Sequence, residues 1–528
     1  MDDSQNLEVP YDYHAATAMP DWRRRVASPI GLKTTFPVGD SLLFGLSKLI
    51  RDMQDSELRS VLVLAGSRVL IFGLPLIEMA LSLDAAEDCG QHLVSSFPER
   101  AYLDGEIALS ELLPRTRVPP VEEVQLAWLR RIKRMSRWTP LYRMPATLLA
   151  PQATAITEND LLRETARKGS VRLAFHHAEG LYHELLRHTD TPGREDLVDQ
   201  ATSLLAELLM SVCTISEFRA GRLRALIESQ ARLLFCLAVR DLTAARRLRS
   251  LPRRVWAGTG GKWPGRVLSL EILRRGGQIV RFDHSAGRGV HRFPAWPAIL
   301  DLYLSSEFHL ATDELAKRLE AQGVNDLMPV DHQCPLIGQN GEPHFKGLRT
   351  ERVGSNKGRP RVVYAPGLLR GLLQTVPAQI PDVIYLDWQM RMVEALKRLP
   401  VDLACRPHPG GILSKGNHPL ADVAPVSDQI FEDLIPEADV FITDQPHSTT
   451  FYAALCTDRP VVLIDFGAPF FDDRSAEAVE RRCRIIKTNY DERNRPLVDE
   501  DELEEAVCGG PERCDPAEFR SLLLGEHA

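Results

Sequence analysis

The chain has 528 residues, of which 44% are hydrophobic and 26% charged, and its net charge is −8. This composition is typical of a globular protein, and the length predicts three or four domains at ~150 residues each. The negative charge disfavours nucleic acid as a main partner. Nine scattered cysteines without a CxxC pair are typical of reduced thiols in a cytoplasmic protein.

The amino-terminal residues 1–22 are acidic and lack a long apolar core, so we predict that they are not a signal peptide. No run of about 18 uncharged apolar residues occurs, so no membrane-spanning helix is expected. Residues 40–53 predict a helix. The apolar stretch at 60–83 fits either a strand, a glycine turn and a helix, or a pair of helices. We assign 1–120 as a mixed α/β region.

Residues 121–250 have apolar residues at helical spacing, and we predict a helical region there. Eight arginines lie between positions 219 and 249. They fit a face that binds a membrane surface or an acidic polymer, but a solvated helix face is the interpretation we favour.

The pattern changes near residue 250. Residues 253–284 read as strand, glycine-rich loop, helix and strand, which is a βαβ unit. A short strand is predicted at 301–306, and strands and helices then alternate to the end of the chain. This alternation predicts an α/β fold with two Rossmann-like parallel-sheet lobes, at 251–360 and 361–528, after a largely helical amino-terminal region. The polar segment 348–361 is predicted to link them.

Ligands of such sheets bind beyond the carboxyl ends of the strands. One loop there reads CRPHPGG, at 405–411. The flanking prolines hold His408 in an extended loop, where its imidazole can donate to a phosphoryl oxygen or protonate a leaving group. Arg406 can neutralise phosphate charge.

A second loop reads TDQPHSTT, at 443–450. Asp444 closes a strand, and the hydroxyl residues Ser448, Thr449 and Thr450 open a helix whose free N–H groups attract anions. Ordinary helix capping by Ser448 or Thr449 is the alternative. Because the two loops follow consecutive strands, we expect their tips to lie side by side and to bind one phosphate.

Further candidates follow other strands. Asp283 and His284 end a strand of the first sheet and face the cleft between the lobes, where either could take a proton from an acceptor hydroxyl; a packed loop histidine is the alternative for His284. Glu307 follows the strand predicted at 301–306. In the second sheet, Arg370 could reach the same cleft.

The loop GTGGKWPGR, at 258–266, lacks the ending of a Walker loop and the spacing of a dinucleotide fingerprint. Gly260 and Gly261 allow close backbone approach, and Lys262 can meet an anionic substrate. A tight turn between strand and helix is the alternative. We expect no metal site.

The RPHP run, the D-x-x-x-S-T-T turn and the strand RPVVLID resemble the carboxyl-terminal half of GT-B glycosyltransferases. The nearest kin are CDP-glycerol glycerophosphotransferases, capsule Kdo transferases and bacterial sialyltransferases. Residues 251–467 also resemble uncharacterised transferases linked to lipopolysaccharide and nonulosonic-acid clusters. The resemblance implies that His408, Ser448 and Thr449 bind the phosphate of a cytidine-nucleotide donor.

The resemblance leaves the general base open, because the acidic pair before a glycine that sialyltransferases use is not evident here. Asp283 and His284 look like the His-Gly loop of the capsule enzymes, with serine where glycine is expected. The expected activity is metal- and cofactor-independent transfer of a CMP- or CDP-linked sugar to a glycan or glycolipid. Contact with the inner face of the cell membrane is a further expectation. The alternatives are a nucleotide-sugar epimerase and an inactive scaffold protein of the same fold.

Overall fold

The structure is a computed structural model. It describes residues 7–112, 132–133, 135–136, 139, 141–186, 194–258, 260–284, 287–348, 358–371, 379–413, 418–509 and 514–526. Most of the linker predicted at 348–361 lies outside the described residues. The architecture is mixed α/β with parallel sheets, and helices account for 53% of it, so the sheets are well covered by helices.

The amino-terminal region is mostly helical. Its elements are β1 (Leu7–Pro10), α1 (Tyr13–Ala18), α2 (Trp22–Arg25), α3 (Leu32–Asp52), α4 (Ser56–Asp88), β2 (Gln91–Val94) and α5 (Pro98–Leu103). The strands β1 and β2 form a separate two-stranded parallel sheet. The mixed α/β character predicted for 1–120 therefore comes from this one strand pair.

The apolar stretch at 60–83 belongs to the single helix α4, so neither the strand with a glycine turn nor the helical pair is correct. Two glycines that suggested a turn lie inside the helix. A Cβ on Gly66 would be 3.0 Å from Leu46, and one on Gly73 would be 2.8 Å from Leu209. These glycines let neighbouring helices approach α4 closely.

Helix α4 is, among the described residues, the one helix long and apolar enough to cross a membrane. Its most apolar 18-residue window is 78% buried inside the protein. Because a buried core helix has the same length and composition, this is weak evidence for a membrane span.

The first sheet has six parallel strands in the order β4-β3-β5-β6-β7-β8. The strands are β3 (Ala153–Ala155), β4 (Leu173–Phe175), β5 (Arg254–Ala257), β6 (Gln278–Phe282), β7 (Glu307–Leu310) and β8 (Leu336–Gly338). The helices of this part of the chain are α6 (Met144–Leu149), α7 (Asp160–Lys168), α8 (Ala178–Leu185), α9 (Glu195–Met210), α10 (Glu217–Ala245), α11 (Trp263–Arg274), α12 (Ala295–Leu300) and α13 (Asp313–Ala321).

Two strands of this sheet lie upstream of the predicted boundary at 251. Strand β3 pairs with both β4 and β5, so the first lobe begins at least as early as Ala153. The region predicted as helical at 121–250 therefore also contains two strands of the first sheet, and the predicted boundary at 251 comes too late in the chain. Each strand has only three residues and is followed by a helix, so helical spacing dominates the pattern. The helices α9 and α10 are inserted between β4 and β5.

The strand predicted at 301–306 is also misplaced. Leu302–Leu304 form a 3₁₀ turn, and the strand β7 starts at Glu307. A short apolar run fits a helical turn and a strand equally well, and here the hydroxyl of Ser305 donates to the carbonyl of Asp301 and closes the turn.

The second sheet has five parallel strands in the order β10-β9-β11-β12-β13. They are β9 (Arg361–Ala365), β10 (Asp402–Cys405), β11 (Val440–Thr443), β12 (Val461–Asp465) and β13 (Arg484–Lys487), followed by the short antiparallel pair β14 (Asn489–Tyr490) and β15 (Pro496–Leu497). The helices are α14 (Asp382–Arg398), α15 (Phe431–Leu434), α16 (Thr449–Leu455), α17 (Asp473–Arg482), α18 (Glu500–Cys508) and α19 (Ala517–Leu524).

The two lobes contact each other beside the carboxyl ends of their strands. The backbone N–H of Arg292 donates to the carbonyl of Phe470 at 3.0 Å, and the amide of Gln322 donates to Asp472 at 2.7 Å. The hydroxyl of Thr312 donates to a carbonyl of α19 at 2.6 Å. These contacts hold the two carboxyl edges against one cleft.

Candidate functional site

A cavity of about 310 Å³ lies at the carboxyl edge of the second sheet. We call it the large cavity; it is formed by the residues after β9, β11 and β12, with Leu32 and Arg292 closing one side. Its walls are mainly apolar and aromatic, and its polar groups include Arg370, Gln379 and His447. A cavity of this size and mixture suits a small organic ligand.

Asp444 forms part of the floor of the large cavity. Its carboxylate accepts hydrogen bonds from the hydroxyls of Tyr364 and Tyr385, both at 2.7 Å, and from the indole N–H of Trp388 at 3.0 Å. Burial raises the pKa of Asp444, and the three donors oppose that rise. Asp444 therefore anchors the loop after β11, with both oxygens already bonded.

Arg370, which was predicted to reach the cleft between the lobes, lies in the wall of the large cavity. Its backbone N–H donates to the carboxylate of Asp382, which fixes the start of the loop. Its guanidinium faces Nε2 of His447 at 3.3 Å, and burial lowers its pKa.

His447 is a site residue that the sequence interpretation missed, although it directly precedes Ser448. Its Nε2 accepts from Arg370 and, at 3.1 Å, from the amide of Gln379. Its Nδ1 is buried, and the described residues offer it no partner. Burial first, and then Arg370 and two neighbouring histidines, hold its pKa well below the usual range. His447 is thus a neutral imidazole with an unused Nδ1–H donor.

His408 lies at the tip of the loop after β10. Its Nδ1 accepts from the backbone N–H of Gly410 at 3.0 Å, which leaves Nε2 as the protonated donor. Partial burial and the charges of the neighbouring Arg370 and Arg406 lower its pKa, and the two charges contribute more because His408 is exposed. The guanidinium of Arg406 donates to the carbonyls of Gln429 and Pro407 and so turns back on its own loop.

The expectation that the two motif loops are direct neighbours is wrong, because β9 lies between β10 and β11 in the sheet. The loop after β9 carries Arg370, and this guanidinium contributes to lowering the pKa of both His408 and His447. The charge of Arg370 thus acts on both imidazoles, and its guanidinium contacts that of His447.

The three hydroxyl residues at the start of α16 differ in their surroundings. Ser448 is the N-cap of α16, and its Oγ accepts from the N–H of Phe451 at 3.1 Å, as the capping alternative has it. Thr449 lines a pocket of about 160 Å³ between the lobes, together with Asp283 and His284. Thr450 lines neither this pocket nor the large cavity.

In the first lobe, Asp283 is buried and accepts from the guanidinium of Arg288 at 2.8 Å. Arg288 also donates to Asp301 at 2.6 Å. This pairing makes Asp283 a poor proton acceptor. His284 is exposed and lines the 160 Å³ pocket as well as an adjoining pocket of about 150 Å³ that also includes His447.

The glycine loop after β5 is a packed turn. A Cβ on Gly260 would lie 2.3 Å from a carboxylate oxygen of Asp301, whereas the space beside Gly261 is open. The ammonium of Lys262 lies 3.6 Å from Glu179. Although burial opposes it, the pKa of Glu179 is lowered to about 2, chiefly by its hydrogen bond with His177 and least by Lys262. Gly260, Gly261 and Lys262 line none of the three cavities along the cleft.

Glu307 is not a cleft residue. It is the first residue of β7, and its carboxylate approaches His309 of the same strand at 3.5 Å. Because ligands bind beyond carboxyl ends, the start of β7 lies at the wrong edge. The misplacement of the strand at 301–306 caused this error.

The arginines of α10 are largely paired with carboxylates. Arg219 is buried and donates to Glu87 and Asp104, both at 2.8 Å, and Arg232 pairs with Glu195 at 2.6 Å. These positions do not present an unpaired cationic face. Within the described residues, no group of three or more His, Cys, Asp or Glu side chains could hold a metal ion.

The large cavity and the two smaller pockets share lining residues and so form one continuous region between the lobes. His447 lines both the large cavity and the 150 Å³ pocket, and His284 lines the 150 Å³ and 160 Å³ pockets. No protein-family model matches the chain, and no curated protein matches it. The functional assignment therefore depends on the chemistry of this cleft.

Proposed function

We propose that the protein is a metal-independent glycosyltransferase with a GT-B-like arrangement of its two lobes. It moves a sugar from a CMP- or CDP-linked donor to a surface-polysaccharide or lipopolysaccharide acceptor. One observation carries this proposal: side chains from the carboxyl edges of both sheets, His284 from one lobe and His447 and Thr449 from the other, line adjoining pockets of a single cleft.

The second lobe supplies the groups that a nucleotide phosphate needs. His408 and His447 each have an N–H donor with no partner in the described chain, and the guanidinium of Arg370 faces His447. As the bond from the anomeric carbon to the donor phosphate breaks, negative charge develops on the leaving oxygen, and fixed donors in a shielded site stabilise it. The apolar large cavity then accommodates the nucleoside.

The first lobe faces the acceptor. His284 is exposed in the cleft and can hydrogen-bond an incoming hydroxyl, whereas Asp283 holds Arg288 instead. The arrangement favours direct displacement at the anomeric carbon, with donor and acceptor entering from opposite lobes.

Nucleotide binding tests the proposal. Thermal unfolding is followed with CMP, CDP and UDP, and we expect the cytidine nucleotides to raise the melting temperature. A ligand at a hundredfold excess over its Kd stabilises the folded state by about 2.7 kcal/mol. His408→Ala should abolish the shift, and His183→Ala, which removes an exposed histidine of α8, should preserve it. Absence of a shift with all three nucleotides in the unaltered protein overturns the proposal.

The paired state of Asp283 favours a second candidate, a binding or scaffold protein that has this cleft without catalysis. Such a protein binds cytidine nucleotides but releases no nucleotide from a CMP- or CDP-sugar. A radiochemical assay of nucleotide release distinguishes the two functions.

A glycolipid acceptor would place the protein at the inner face of the membrane. The described surface that fits this role includes Leu141, Tyr142 and Leu149, which are 74%, 77% and 88% exposed, beside the exposed Arg143. Exposed apolar and basic residues together favour binding to anionic lipid surfaces. Co-sedimentation with phosphatidylglycerol vesicles should occur and should weaken in Leu149→Asp. Equal sedimentation of both proteins refutes this surface.

A further inference from the structure

The 160 Å³ pocket between the lobes contains a carboxylate that sequence interpretation did not single out. We call it the Glu342 pocket; besides Glu342 it is lined by Asp160, Asp283, His284, His344 and Thr449, among others. Glu342 lies in the turn that follows β8, at the carboxyl edge of the first sheet. It therefore lies at the edge where ligands of parallel sheets bind.

The backbone around Glu342 is fixed by the carboxyl-terminal helix α19. The N–H of Glu342 donates to the carbonyl of Leu523 at 2.8 Å. The preceding Gly341 has φ +84°, and a Cβ there would lie 2.2 Å from the carbonyl oxygen of Leu524, so only glycine fits. This packing holds the side chain of Glu342 at the pocket.

The carboxylate of Glu342 is the least engaged of the acidic groups in the pocket. Its Oε1 accepts one long hydrogen bond, at 3.3 Å, from the N–H of His344, and the described residues offer its Oε2 no partner. By contrast, Asp283 is bonded to Arg288, and Asp160 accepts from Arg163 at 2.7 Å.

Burial raises the pKa of Glu342 to about 7. The nearby carboxylates of Asp283 and Asp160 add to this rise in pKa. The backbone N–H and the charge of His344 both oppose it. His344 pairs with Glu432 of the second lobe at 2.7 Å, which raises the pKa of that imidazole. The remaining charged groups facing this side chain are His284 and Lys346. A carboxylate with such a pKa is suited to accept a proton at neutral pH.

We propose that Glu342 is the general base of the transfer and that the acceptor hydroxyl binds in the Glu342 pocket. This inference rests on the proposed function. The acceptor oxygen forms a bond to the anomeric carbon while its proton passes to the carboxylate of Glu342. The bond from the anomeric carbon to the donor phosphate breaks, and the nucleotide leaves with the electron pair. His284 and Thr449, on opposite lobes, orient the hydroxyl.

The test uses the full chain, a CMP- or CDP-sugar and water as the acceptor, so that the natural acceptor is not required. Nucleotide release above the rate without protein is measured for the unaltered chain, Glu342→Gln and the control Glu320→Gln. Glu320 is an exposed glutamate of α13. Loss of a general base lowers the rate by about 10²–10⁴-fold. We expect this loss in Glu342→Gln alone, with nucleotide affinity unchanged by calorimetry.

The pH–rate profile supplies a second readout on the unaltered protein. We expect kcat/KM to fall on acidification with an apparent pKa near 7, and this limb to be absent in Glu342→Gln. A Glu342→Gln rate within twofold of the unaltered protein, or an acid limb that persists in the variant, overturns the role of Glu342 and leaves the proposed function intact. An unaltered protein that binds no cytidine nucleotide, or binds it and releases none from the donor, overturns the proposed function and with it the base.

Discussion

The buried carboxylate of Asp444 should be essential to the loop that carries His447. In Asp444→Asn the amide oxygen can replace one carboxylate oxygen, but the amide nitrogen cannot accept from the third donor. Tyr364 and Trp388 donate to one oxygen and Tyr385 donates to the other. One hydrogen bond to a charged group is lost, worth about 1.5–3 kcal/mol, and two others become weaker.

Relief from burying a charge offsets part of that loss, because burial raises the pKa of Asp444. The expected net decrease in the free energy of unfolding is about 2–4 kcal/mol. Urea unfolding followed by tryptophan fluorescence measures it, since Trp388 is one of the three donors. The matched control is Asp433→Asn, an exposed aspartate of α15 in the same lobe.

Two results would refute this reasoning. A decrease below about 0.5 kcal/mol in Asp444→Asn, the range of ordinary surface substitutions, would mean that the three hydrogen bonds do not stabilise the lobe. A decrease equal to that of Asp433→Asn would mean that the lobe responds to any loss of negative charge. In the expected case the variant also binds cytidine nucleotides more weakly, because the loop after β11 loses its anchor.

Two further predictions concern the cleft and its surroundings. Gly260→Ala should lower the free energy of unfolding by about 1–3 kcal/mol, because the new Cβ would lie 2.3 Å and 2.4 Å from two oxygen atoms. Gly261→Ala should be nearly neutral in the same urea titration, since the space beside Gly261 is open. Equal losses in the two variants would contradict the packing. Arg370→Gln should raise the pKa of both His408 and His447, while Arg406→Gln should raise that of His408 alone, as followed by NMR titration of labelled histidine; unchanged values in Arg370→Gln would contradict the convergence of the three loops.

The second lobe was the most predictable part of the fold. Its strands are four or five residues long and strongly apolar, and they are separated by clear helices and turns, so the parallel sheet follows from the alternation. Strands β3 and β4 have three residues each and carry too little pattern to distinguish them from the helices beside them. The internal glycines of α4 suggested a turn because their partners, Leu46 and Leu209, are distant in the sequence.

The candidate site was predictable to the level of loops but not of roles. The sequence places His408, Arg370 and His284 after strands, yet strand order decides which loops meet, and the order β10-β9-β11 depends on tertiary pairing. Glu342 was missed because an acidic residue in a polar turn carries no local signal. Its distinguishing property is burial against α19, almost two hundred residues further along the chain, and such contacts leave no trace in composition.

Burial is the main cause of the low pKa of His447 and one cause of that of His408, the two imidazoles proposed to bind phosphate, and the strand order adds a further cause for both. Because β9 lies between β10 and β11, its loop carries Arg370 to His447, and the charge of this guanidinium disfavours a second positive charge on either His408 or His447. These three side chains together supply one positive charge and two neutral N–H donors. A dianionic leaving phosphate would offset the positive charge of Arg370 and so make protonation of these imidazoles easier. The imidazoles would then become positively charged only after negative charge has developed on the leaving phosphate. Under the proposed function, this arrangement would stabilise the departing nucleotide more than the intact donor, which is the difference that lowers a transfer barrier.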